Sequence, residues 1–280
     1  MMASTPVTQP LRQLPKGTYL PINRCNLPAT ILGGLTFQQQ PVPLQIDGVA
    51  HLHADLFRRL DELDSADARV RQFEDYLDVH FRLDDPSAAG FKPGGRGRPK
   101  ATWRRTLRGW FFDTDSREAA VLKSWVESRF GLLPRFHQAP IRDFSGEAYL
   151  AYLEARARGL YNTNSLEAQL DLVYSFCQYQ LSQQQQSHLL LYRGVNRPEQ
   201  LEQLPGCSPA GDALPALLLN NLNSFSCSVE RASEFGDRVL AIRVPCEKVF
   251  CYDALFPGQL NGEGEYVVIG GLYQPECWVY

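Results

Sequence analysis

The sequence predicts an α+β fold, with a mostly helical N-terminal part followed by a β-rich C-terminal part. Two observations carry this. From Leu52 to Gln184 apolar residues recur three and four apart, the spacing of one helical face; after Ser187 they fall in short runs bounded by glycine, proline and polar residues. Because the strands follow the helices rather than alternate with them, a βαβ parallel sheet is excluded. A soft boundary near residue 185 separates an irregular arm and helical region over 1–185 from a β-rich core over 186–280, the two expected to form one integrated domain.

The 280 residues, 44% hydrophobic and 21% charged, are enough for a sizeable core, and a net charge of −3 gives no general attraction to nucleic acid. Met1–Pro10 is polar and no apolar run approaches the ~20 residues that span a bilayer, so a cytoplasmic protein without a membrane partner is expected. The seven cysteines, Cys25, Cys177, Cys207, Cys227, Cys246, Cys251 and Cys277, are scattered and include no C-x-x-C pair. That excludes a disulfide framework and a zinc ribbon, and they are expected to be reduced and mostly packed.

Residues 1–50 are rich in proline and turn formers and show no helical period, so an irregular arm is expected there. His51 and His53 flank Leu52 as an H-x-H pair, but no third ligand follows, and His80 and His137 stand apart from acids at ligand spacing. All are read as structural histidines. Leu52, Leu56, Leu60 and Leu63, then Val70, Phe73, Leu77 and Phe81, mark two amphipathic helices. Proline and glycine break the pattern between Asp84 and Lys100. Helices are expected to resume at Trp103–Phe111, Ser116–Phe130, Gly146–Arg158 and Leu166–Gln184. Strands are expected at His188–Tyr192, Ser224–Ser228, Val239–Val244, Val249–Tyr252, Tyr266–Ile269 and Cys277–Tyr280. Between the second and third lies a short helix over Val229–Phe235, with Ser228 as its N-cap and Gly236 just past its end.

Asn261-Gly-Glu-Gly-Glu-Tyr-Val-Val-Ile-Gly-Gly271 places two carboxylates, Glu263 and Glu265, at the mouth of a buried strand. If the extended conformation begins at Glu263, both point to one side about 7 Å apart. Such a pair suits chemistry at a sugar C1, where one acid steadies an oxocarbenium-like transition state and the other handles a proton. A solvated hairpin tip is the alternative. Gly262-x-Gly264-x-x-Val267 is no dinucleotide fingerprint, since it lacks the third glycine and leads into a strand where a helix is needed. Upstream, Leu191-Tyr-Arg-Gly194 ends a strand on Arg193 and Gly194, presenting a planar guanidinium fork that can hold phosphate oxygens. In Asn223–Ser228 the hydroxyls of Ser224, Ser226 and Ser228 alternate onto one face of a strand.

Arginine, serine strand and E-x-E in that order resemble the arginine–serine–glutamate class of mono-ADP-ribosyltransferases. Asn26-Leu-Pro-Ala29, Gly34-Leu-Thr-Phe37, Asp75–Phe81, Leu191–Gly194 and Glu230–Gly236 are similar to the family that ADP-ribosylates dinitrogen reductase, the nitrogenase iron protein, and so switches off nitrogen fixation. The resemblance implies a mixed or antiparallel β core with an NAD cleft, NAD+ as substrate, no metal, the iron protein as target and a PII-type signalling protein as regulator. It implies that Arg193, with Gly194 beside it, holds the NAD phosphates and nicotinamide ribose, that Glu265 engages the ribose 2′-OH, and that Glu263 goes with arginine as acceptor. The usual Ser-Thr-Ser has Cys227 in the threonine position if Ser226 is the first serine. Ser226 is favoured, with Ser224 and Ser228 as alternatives. A non-catalytic module that binds NAD or ADP-ribose and acts by docking is the second reading, disfavoured because a pure binder has no use for two acids beside a dinucleotide.

Phe91–Phe112 carries Lys92, Arg96, Arg98, Lys100, Arg104, Arg105 and Arg108 without one acid. A docking surface that steers an acidic protein target is expected of it, against a plain solvated loop. Trp103 and Trp110 lie among these cations, but no nucleic-acid-binding module surrounds them and no nucleic-acid partner is expected.

Overall fold

The structure, a computed structural model, describes residues 13–84, 101–160, 165–198, 201–204, 214–258, 260 and 264–279. In the arm, α1 (Ala29–Leu32) and α2 (Leu35–Gln39) replace the irregular chain expected there. They are too short for periodicity to reveal. Contacts with the rest of the fold hold them: Leu32 and Phe37 are buried, the Gly33 carbonyl accepts from Leu272 N–H at 2.7 Å, and the Gln38 amide bridges Arg243 and Gln274.

The first predicted helix is broken in two, α3 (Val49–Leu52) and α4 (Ala54–Asp61), at His53 (φ −115°, ψ 26°). Leu56 and Leu60 are buried as expected, but Leu52 is 76% exposed and does not belong to their stripe. The turn follows from a tertiary contact, the hydrogen bond between His53 Nδ1 and the Tyr76 hydroxyl at 2.8 Å. α5 (Ala66–His80) starts on the Ser65 cap, and Val70, Phe73 and Leu77 bury its face. α6 (Trp103–Phe112) starts on Thr102, and α7 (Arg117–Phe130) runs from a Ser116 cap to Gly131. A small hairpin of β1 (Phe136–His137) and β2 (Ala139–Pro140) leads to α8 (Glu147–Gly159) and α9 (Leu166–Ser182). Asp171 of α9 accepts from Trp125 and from Arg129, both at 2.7 Å, and so clamps α7.

The C-terminal part contains β3 (His188–Val195), β4 (Glu202–Gln203), β5 (Leu217–Ser226), α10 (Val229–Ser233), β6 (Arg238–Pro245), β7 (Val249–Tyr252), β8 (Glu265–Tyr273) and β9 (Cys277–Trp278). They form one antiparallel sheet of order β7-β8-β5-β3-β6-β9, with β4 on β5. The arrangement is α+β. β3 pairs with β6 from end to end, and β5 with β8 from Leu217↔Tyr273 to Ser226↔Glu265, but β3 meets β5 at the single pair Tyr192↔Ser226. The sheet is thus two ribbons joined at one rung and splayed apart beyond it.

Helices and sheet share one hydrophobic core. Phe73 of α5 stacks on Phe176 of α9 at 4.1 Å, Trp103 meets Phe256 at 4.6 Å, and Trp125 meets Phe250 at 4.8 Å. Cys177, Cys246 and Cys251 are buried thiols, Cys25 is half-buried, and Cys227 and Cys277 are exposed; Cys207 lies outside the described residues. Among the described residues no helix is long and apolar enough to cross a membrane.

Lys248 is buried among apolar groups. Its ammonium donates to the Gly270 carbonyl at 2.8 Å and lies 4.6 Å from the centroid of the Tyr273 ring, and burial pushes its pKa down to about 7. An unfolded lysine titrates near ~10.4, so between these values the unfolded chain binds the proton more tightly and stability rises with pH. Lys248→Met keeps the length and removes the charge, at the loss of one hydrogen bond worth about 1 kcal/mol. It is expected to stabilise the protein by about 1–3 kcal/mol at pH 7, less as the pH approaches 10. Thermal unfolding at both pH values checks this, and a gain independent of pH contradicts it.

Candidate active site

The splayed junction of β3 and β5 opens a cleft of about 510 Å³. Arg193, one residue beyond the joining rung, is half-buried in its wall; its Nη1 donates to the Ser224 carbonyl at 2.7 Å, and its guanidinium carbon lies 5.8 Å from the centroid of the Phe225 ring. Burial pulls its pKa below the ordinary arginine value while the nearby Glu265 carboxylate acts the other way. Gly194 is glycine for a steric reason. A Cβ there would stand 2.1 Å from the Ala232 carbonyl oxygen, so its absence lets α10 lie directly on the end of β3.

Glu265 opens β8 opposite Ser226. The extended run expected through residues 263–265 is interrupted at Gly264, whose φ of +74° is left-handed, and where a Cβ would meet Cys227 Sγ at 2.7 Å. Gly264 is fixed from both sides: its N–H donates to Asp253 Oδ2 at 2.7 Å, and its carbonyl accepts from Cys227 N–H at 3.0 Å. Glu263 lies outside the described residues. Burial pushes the Glu265 pKa up to about 7; hydrogen bonds from Ser224 and Trp110 and the Arg193 cation pull it down, and Asp253 pushes it up.

The serines divide. Ser224 Oγ accepts from Trp110 Nε1 at 3.0 Å and lines the cleft with Glu265, whose ionised form it favours. Ser226, the favoured residue, also lines the cleft, and its Oγ accepts from Ser228 N–H at 3.0 Å. Ser228 caps α10 through Arg231 N–H at 3.2 Å and is absent from the lining. Ser224 and Ser226 both line the cleft, Ser226 opposite Glu265 in register and Ser224 held by the Trp110 indole.

The opposite wall comes from the end of α6, which sequence reasoning did not place here. Phe112 at its tip and Phe235 after α10 line the cleft while 92% and 73% exposed, two aromatic faces at the rim. Asp113 and Thr114 continue this wall, and beneath them the buried Lys123 donates to the Thr114 carbonyl at 2.8 Å, the Phe136 carbonyl at 3.0 Å and Asp115 at 3.2 Å. Burial lowers its pKa to about 8. It braces the loop from inside the fold.

Of the basic segment, Lys92, Arg96, Arg98 and Lys100 lie outside the described residues. Arg104 pairs with Asp78 at 2.7 Å and Glu74 at 3.6 Å, and Arg105 with Glu118 at 3.5 Å, so part of the expected docking charge is neutralised internally. Trp103 and Trp110 are 0% and 1% exposed, which denies them to nucleic-acid bases. Among the described residues no group of three His, Cys, Asp or Glu is placed to hold a metal ion.

The family model described as dinitrogenase reductase ADP-ribosyltransferase matches residues 22–277. The chain is 38% identical over 258 residues to the NAD(+)–dinitrogen-reductase ADP-D-ribosyltransferase of Rhodospirillum rubrum, across 90% of this chain and 92% of that protein. No solved structure matches it.

Proposed function

The chain belongs to the dinitrogenase reductase ADP-ribosyltransferase family, and from that premise we propose that it moves ADP-ribose from NAD+ to one arginine of dinitrogenase reductase, with Arg193, Ser224 and Glu265 as the centre of the site. The observation that carries the assignment of residues is Glu265 itself, a carboxylate raised to about 7 by burial and set in the same cleft as Arg193. Among the described residues the guanidinium gives one N–H to the Ser224 carbonyl and has no other hydrogen-bond acceptor, which leaves its fork for phosphate oxygens. The donor set fits an anionic dinucleotide.

In this reading Arg193 grips the phosphates and Glu265 faces the nicotinamide ribose. As the bond between ribose and nicotinamide breaks, its electron pair leaves with the neutral nicotinamide and positive charge develops on the sugar. The partly buried Glu265 carboxylate, at the wall of the cleft, stabilises that charge more than it would in bulk solvent. Attack by the target guanidinium forms the new C–N bond and releases one proton. Glu263 accepts it, a role that rests on the family resemblance. Regulation by a PII-type protein and a cytoplasmic location belong to the same reading and rest on resemblance and sequence alone.

Incubating the protein with NAD+ labelled in its adenylate and with purified dinitrogenase reductase tests the proposal. Label on the reductase with release of nicotinamide supports it; NAD binding without either leaves a non-catalytic module. Glu263→Gln is expected to spare slow NAD hydrolysis while abolishing transfer to arginine. Equal loss of both activities contradicts the division of roles.

A further inference from the structure

The residue that locks the site together comes from the helical half. We propose that Trp110 is a positioning residue for the transfer reaction, holding the Ser224 hydroxyl, and through it the Glu265 carboxylate, in the working orientation. This rests on the reading of the cleft given above.

Trp110 is 1% exposed and its indole N–H is its sole polar group, so burial is costly unless that donor finds an acceptor. The acceptor is Ser224 Oγ, 3.0 Å away and 114 residues distant in sequence. A serine hydroxyl has one proton and a rotor that is otherwise free. With one oxygen lone pair taken by the indole, the hydroxyl proton is left for the Glu265 carboxylate, which shares the cleft lining with Ser224 and lies two residues along β8 from the cross-strand partner of Ser224, Val267. The chain of donors is therefore directional, indole to hydroxyl to carboxylate.

The helix that presents Trp110 is anchored independently of the cleft. Thr102 caps its start, Gln169 accepts from Trp103 N–H at 3.0 Å, Ser116 Oγ donates to the Gly109 carbonyl at 3.3 Å, and the Lys123 ammonium lies 6.0 Å from the Trp110 ring. The other charged groups acting on Glu265 are Arg193 on β3 and Asp253 after β7, while the Cys251 thiol on β7, raised by burial, stays neutral beside it. Trp110 and Ser224 can be changed without changing charge, which isolates their effect on the acid. Both favour the ionised carboxylate, so losing either raises the pH at which Glu265 gives up its proton.

The test compares the parent with Trp110→Phe, with Trp110 replaced by benzothienylalanine, which keeps the ring shape and lacks the N–H, and with Ser224→Ala. Nicotinamide release is measured from pH 6 to 9, and the Glu265 side chain is titrated by carbon NMR without NAD+. Each variant is expected to move the acid limb and the NMR titration up by about one pH unit. Its kcat at pH 7 is expected to fall about fivefold and recover by pH 9, with KM for NAD+ within about twofold. The double variant Trp110→Phe/Ser224→Ala should shift no further than Ser224→Ala alone. A benzothienyl variant with the parent's titration, a loss equal at every pH, or additive shifts in the double variant overturns the proposal. A parent that releases no nicotinamide refutes the transferase reading, whereas the NMR titration still decides the link between Trp110 and Glu265.

Discussion

Glu265→Gln is expected to slow nicotinamide release by about 10²–10³-fold, equivalent to ~3–4 kcal/mol, with little change in NAD+ affinity. The amide keeps the shape and loses the charge, and the charge is needed only as the ribose becomes cationic. In the parent, kcat/KM should fall tenfold per pH unit below about 7, where the buried carboxylate takes up its proton. The same substitution should act on stability with the opposite sign. The native carboxyl holds its proton more tightly than the unfolded one, so the ionised group destabilises the fold fully above about 7 and ceases to do so as the pH falls toward the unfolded value near ~4.3. Glu265→Gln should therefore melt higher than the parent at pH 8, by on the order of 2 kcal/mol, and match it near pH 4.5. Near-normal turnover in this variant would falsify the site; a lower melting point at pH 8 would show that the carboxylate is not strained.

Arg193→Lys should act on binding. The guanidinium bonds the Ser224 carbonyl at 2.7 Å and still has donors to offer the cleft, which a single ammonium on a shorter reach cannot do at once. Losing one or two charge-assisted hydrogen bonds should weaken NAD+ by roughly 10- to 100-fold, about 1.4–2.8 kcal/mol. Calorimetry reads the affinity directly. An unchanged value moves the phosphate anchor to another cation.

What the sequence conveyed follows the range of the forces involved. α5, α7 and α9 were legible because they are long, periodic and, for the first two, capped by Ser65 and Ser116. The break at His53 was not, since the leucine spacing runs on through it and the turn depends on Tyr76, distant in sequence. The first half of β5 was missed because Asn220 and Asn221 interrupt its apolar run. In the fold Asn221 serves the backbone carbonyls of Lys123 and Leu132 at 2.7 and 3.1 Å, beside a bulge against β8. Local motif singled out Arg193 and Glu265, and the fold brings both into one cleft. That an indole on a remote helix holds the Ser224 hydroxyl was not readable, because the strand register alone puts the hydroxyls of Ser224 and Ser226 on one face.

The strand order has a consequence for biosynthesis. β8, which carries Glu265, lies between β5 and β7, yet a ribosome makes both neighbours before it. Until β8 emerges, β5 and β7 each present an unpaired edge to whatever is nearby, a state open to wrong pairing with other chains. The insertion that heals those edges is the event that brings the acid to the arginine. On the site proposed above, a translation product interrupted before β8 carries Arg193 on β3 but lacks Glu265, and it is expected to be inert toward NAD+.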